Sequence, residues 1–186
     1  MSAYELPTSL NIGGVDFNIR TDYRAILDIL IAMNDSQLED WEKTMVMIQI
    51  LYEDYESIQP EYFQEAAEKA VEFIDCGQQD DGKKNPKLVD WEQDARLIIP
   101  AVNKVAHMEI RSITYMHWWT FFAYFMEIGE SLFSNIVSYR NNRAKHKKIE
   151  AWEREFYKDN KKLIDFKTNI CERSDDEKAA LAELWG

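Results

Sequence analysis

Histidine, cysteine, glycine and proline are all scarce in this chain, and each scarcity excludes something. The 3 histidines, His107, His117 and His146, are separated by 10 and 29 residues and form no His-x-x-x-His or Glu-x-x-His pair. No metal site can therefore be read from spacing, and no metal or cofactor is expected. The 2 cysteines, Cys76 and Cys171, have no paired spacing, which argues against a disulfide framework and a zinc knuckle. There is no Gly-rich phosphate loop and no Gly-x-Ser-x-Gly elbow, so the sequence carries no constellation for catalysis. The fully apolar run Tyr115–Met126 is interrupted by His117 and Thr120 and falls short of the ~30 Å a membrane span must cross. No targeting segment is read at the start, so a reducing cytoplasm is the expected compartment.

What is present is a helix-forming, aromatic and acidic chain. It has 186 residues, of which 46% are hydrophobic and 13% aromatic, enough to bury a core. With 6 Gly and 4 Pro, the expected class is mainly α, a helical bundle with a short N-terminal β-hairpin. The net charge of −12 is uneven. Residues 1–100 hold 8 Lys/Arg against 21 Asp/Glu, while residues 101–186 hold 14 against 13. Such acidity repels phosphate backbones and disfavours nucleic acid as a partner.

In chain order, Gly13-Gly14 between two apolar runs predicts a hairpin of Ser9–Ile12 and Val15–Ile19 whose edge is open to assembly. Thr21 and Asp22 cap a helix through Met33 that buries Ile26, Leu27, Leu30 and Ile31. Ser36 and Glu39 read as a capping box for a second helix to about Tyr52, burying Leu38, Trp41, Met45, Ile48 and Leu51. Pro60 and Gly77 frame a third, Glu61–Cys76. The polar stretch 77–87 reads as a hinge, so the chain is one domain of residues 1–186 in which 1–76 and 88–186 could form subdomains. A fourth helix, about Val89–Lys104, contains Pro100 and should bend or break near Ile98–Ile99.

The stretch Ile113–Arg140 carries aromatic rings on every side of a helix, so it reads as a central rod that must be wrapped, with Gly129 inside it. Trp118 and Trp119 point about 100° apart, so both are buried or one is left as an anchor for a partner. Arg140, Arg143, Lys145, Lys147 and Lys148 form a basic run, either a solvated helix end or a contact for an acidic surface. A last helical pattern follows with Trp152, Phe156, Leu163 and Phe166, and then a cap at Ser174 and an amphipathic end with Leu181, Leu184 and Trp185. The residues expected to meet a protein partner are Trp118, Trp119, Phe122, Arg140, Arg143, Lys147 and Trp185.

Asp90–Val102 (DWEQDARLIIPAV), Tyr115–Phe125 (YMHWWTFFAYF) and Ser134–Arg140 (SNIVSYR) together resemble the bacteriophage gene-product-fifteen family. The opening LPTSLNIGGVDFNI and the segment Glu42–Asp54 are similar to the same family, with His117–Phe121 the most specific piece. The resemblance implies a non-enzymatic protein of phages and prophages of Gram-positive bacteria. By size and gene position it implies a tail assembly chaperone that binds the tape measure protein, and other tail proteins with it. Such a protein would keep its client soluble in the host cytoplasm, act as a homo-oligomer, and be absent from the virion. The alternative is a structural tail or connector protein retained in the particle.

Overall fold

The computed structural model describes residues 5–78 and 86–167. The hairpin forms as the paired glycines predict. Strands β1 (Ser9–Ile12) and β2 (Val15–Asn18) are antiparallel, with Leu10 opposite Phe17 and Ile12 opposite Val15. Gly13 and Gly14 adopt φ of 57° and 83°, the left-handed values a two-residue turn demands. At Gly13 the need is doubled, because an added Cβ would stand 2.8 Å from the Tyr62 ring.

Helix α1 (Tyr23–Asn34) starts at Asp22, whose Oδ1 accepts from the Arg24 N–H at 3.0 Å. Ile26 and Ile29 are its most deeply buried residues, so the inward face is rotated from the expected one toward Ile29. Helix α2 (Asp40–Leu51) begins later than the Ser36 box implies: Glu39 is the cap, closing a box with Glu42. Burial along α2 rises from exposed Asp40 and Trp41 to fully buried Met47 and Ile48, so its first turn overhangs the core. Trp41 is therefore outside, 53% exposed. At the other end of α2 the Arg20 guanidinium donates to the carbonyls of Gln49, Ile50 and Tyr52, neutralising unpaired acceptors where a cation is favoured.

Helix α3 (Phe63–Ile74) follows a 3-10 turn at Pro60–Tyr62 and stops where Gly77 donates to the Glu72 carbonyl at 2.8 Å. Of the expected hinge, residues 79–85 lie outside the described residues. The apolar core is shared across that segment: Ile26, Ile48 and Phe73 from before it cluster with Ile98, Trp118 and Phe121 from after it. Helix α4 (Ala95–Ala106) starts six residues after Val89 because Asp90 and Asp94 first organise a turn, and it runs unbroken through Pro100.

The expected rod is two helices. Helix α5 (Trp118–Met126) ends before Gly129, and α6 (Leu132–Ala144) restarts at Ser131. Ser131 and Ser134 cap each other reciprocally, Ser134 N–H to Ser131 Oγ at 3.1 Å and Ser131 N–H to Ser134 Oγ at 3.0 Å. Gly129 thus sits in the connection. Helix α7 (Ala151–Ile164) packs on α6 around a small second cluster of Ile136, Tyr139 and Ile164. The cap at Ser174 and the end with Leu181, Leu184 and Trp185 lie outside the described residues. Among the described residues, no helix is long and apolar enough to cross a membrane.

Candidate partner-binding surfaces

The start of α5 is a junction of three chain segments. His117 is its N-cap: Nδ1 accepts from the Trp119 N–H at 3.0 Å, and Nε2 lies 3.0 Å from the Pro7 carbonyl. An acceptor at Nδ1 and a carbonyl at Nε2 require the neutral ring with its proton on Nε2. Burial accordingly holds the His117 pKa below the ordinary imidazole value, with the Pro7 carbonyl opposing. Beside it, α1 and α5 are stitched start to start: Tyr23 N–H donates to Met116, Trp118 N–H to Thr21, and Met116 N–H to Asp22 Oδ2.

From this junction Trp118 and Trp119 both turn inward. Their indole N–H groups donate to consecutive carbonyls at the end of α3, Trp118 to Ile74 at 2.8 Å and Trp119 to Phe73 at 2.9 Å. A helix leaves its last carbonyls without intrahelical donors; Trp118 supplies the N–H donor to Ile74, and Trp119 adds one to Phe73, which also accepts from the Cys76 N–H. Trp118 is buried and Trp119 half-buried, and Phe122 packs half-buried on Trp118 with centroids 5.4 Å apart. This aromatic group is therefore a joint within the fold.

Arg140 also points inward. Its five N–H donors are all used: Nε to the Ile164 carbonyl, two to the Asp94 carboxylate, and one each to the carbonyls of Leu88 and Leu163. The Phe166 ring covers the guanidinium at 4.1 Å. Arg140 is thus removed from the surface basic run in which the sequence placed it. Arg143 stays outside, bonding Asp165 at 2.8 Å, a contact that holds its own pKa up and helps keep the Asp165 carboxyl low against some desolvation. Lys147 is exposed beyond the end of α6. Trp185 lies outside the described residues.

The structure exposes several large apolar side chains, among them Trp41, which the sequence reading buried. Trp152 is 67% exposed, and Trp41, Met126, Tyr115, Met108 and Leu132 are also exposed. Trp41 shares a helical stripe with Met45 and Ile48, so periodicity alone sends it inward; the flanking Asp40 and Glu42 were the only local hint of an overhanging first turn.

Burial and the adjacent Asp75 push the Cys76 thiol up to about 12, leaving it protonated at neutral pH. No group of three or more His, Cys, Asp or Glu that could hold a metal occurs among the described residues.

A family described as Bacteriophage Gp15 protein matches residues 3–166. No curated protein and no solved structure matches the chain.

Proposed function

The chain belongs to the Bacteriophage Gp15 protein family, and on that premise we propose that it is a non-enzymatic tail assembly chaperone. It acts in the host cytoplasm as a homo-oligomer, binds the tape measure protein, and keeps that client in solution until the tail tube closes around it. The observation that carries the reading is the combination of exposed Trp41, Trp152, Met126 and Leu132 with a chain of net charge −12. A holdase needs apolar surface to cover its client and charge to keep the complex dissolved. Flexible methionines and amphipathic tryptophans suit contact with a long, irregular helical partner. Repeated copies along such a client would turn weak contacts into a lasting one.

The test is co-expression with the tape measure protein followed by mass spectrometry of purified virions. A chaperone raises the soluble yield of the client, co-purifies with it, and is absent from the particle. An insoluble client without a complex contradicts the reading, and stoichiometric presence in virions assigns the chain to the tail structure instead.

A further inference from the structure

A groove of about 500 Å³ runs between β2 and the connection from α2 to α3. Its floor and walls include Ile12, Phe17, Ile58 and Tyr62, and its rim carries Asp16, Glu53 and Asp54 with no basic residue among the lining. The same groove bears a strand edge that is open at Asp16 and closed beyond Asn18, where Ile19 bridges Tyr52. Ile19 N–H donates to the Thr8 carbonyl at 3.0 Å, which fixes Val15, Phe17 and Ile19 as the β2 residues bonded across the hairpin. Asp16 and Asn18 then face outward. The Asn18 carbonyl accepts from Glu53 N–H at 3.1 Å, while the N–H and carbonyl of Asp16 and the N–H of Asn18 have no partner among the described residues.

We propose that this groove binds a short extended segment of a partner protein, added as a third strand on β2, with Lys or Arg opposite Asp16 and apolar residues on either side. The alternation follows from the pleat. A residue paired with Asp16 projects on the Asp16 face, and its neighbours project on the opposite face, where Phe17 lies. Charge decides the occupant. Pairing β2 with β2 of a second copy would set two sets of Asp16, Glu53 and Asp54 around one groove, whereas a basic strand meets carboxylates of opposite sign. The inference goes beyond the chaperone reading and holds whichever protein supplies the segment.

The experiment is fluorescence anisotropy of fluorescein-labelled Gly-Lys-Val-Lys-Val-Lys amide titrated with the full-length protein. A twin peptide, methylated on the backbone nitrogens of its lysines, cannot donate to the Asp16 carbonyl. The expected result is saturable binding that weakens at least about tenfold with the methylated peptide and with Asp16→Lys, since both backbone pairing and charge are needed. Glu53→Lys provides the same reading if Asp16→Lys lowers the melting temperature. Absence of saturable binding overturns the proposal, as does equal binding of the methylated peptide, which would mean adsorption by charge alone. A protein that dimerises through this edge, more tightly once Asp16→Lys relieves the like charges, overturns it in favour of self-pairing.

Discussion

Arg140 in α6 and Asp94 just before α4 form a two-point ion pair at 2.6 and 3.0 Å, with both side chains shut away from solvent. The pair joins α4 and α6 to the end of α7, since Arg140 also bonds the carbonyls of Leu163 and Ile164. Asp94 in turn accepts from the Asp90 N–H at 3.0 Å, so its carboxylate organises the entry to α4 as well.

Removing one member of such a pair strands the other. Arg140→Met is expected to lower the unfolding free energy by about 3–5 kcal/mol in urea denaturation. Arg140→Lys should recover little of it, because an ammonium has three donors and cannot replace a planar fork with five. A loss below about 1 kcal/mol for Arg140→Met would mean that solvent reaches the pair.

The two indoles at the end of α3 predict an inequality. Trp118→Phe leaves the Ile74 carbonyl only a distant 3.8 Å contact from Cys76 Sγ, whereas after Trp119→Phe the Phe73 carbonyl keeps the Cys76 N–H at 3.0 Å. A buried unsatisfied acceptor costs about 1–3 kcal/mol, so Trp118→Phe should destabilise by that much and Trp119→Phe by clearly less. Equal effects in denaturant titration would show that packing alone decides both.

His117 gives a pH signature. Its folded pKa is depressed by burial, so the folded state resists protonation. The stability it contributes is fully present above the unfolded imidazole pKa of ~6.5 and is lost as the pH falls from there through the lower folded value. His117→Asn keeps a capping oxygen and removes the titration, so the melting temperature should vary less over that window than in the wild type. The acid limb set by carboxylates held low in the fold, Glu109 beside Arg111, Asp90 and Asp165 among them, should remain. An unchanged profile just below pH ~6.5 in His117→Asn would refute the assignment.

In the hairpin, Gly13→Ala meets both a left-handed φ and the Tyr62 ring, while nothing stands within 4 Å of a Cβ at Gly14. Gly14→Ala should cost about 1–2 kcal/mol for the backbone alone, and Gly13→Ala more than that. Comparable thermal shifts would mean that the Tyr62 ring moves aside freely.

The elements written in local chemistry were legible in the sequence. The hairpin follows from Gly13-Gly14, the first cap from Asp22, and the limits of α3 from Pro60 and Gly77, each within two or three residues. The rod was misread because its aromatic content outweighed a weaker signal, the connection around Gly129 and a serine-serine cap at Ser131 and Ser134 in place of the usual serine-glutamate one. Arg140 was unreadable as an internal residue because its partner Asp94 lies 46 residues earlier. Trp41 and Trp152 escaped because a helical stripe specifies a face and not how far along the helix the neighbouring core extends.

The central claim is that the inner tryptophans hold the fold while the outer ones meet the partner. It is tested most directly by the soluble yield of the co-expressed tape measure protein with wild type and with Trp41→Ser/Trp152→Ser. The account predicts that the double variant keeps its denaturation midpoint, exposed sites costing within about 0.5 kcal/mol each, yet loses most of the soluble client. An undiminished yield with an unchanged midpoint would contradict it.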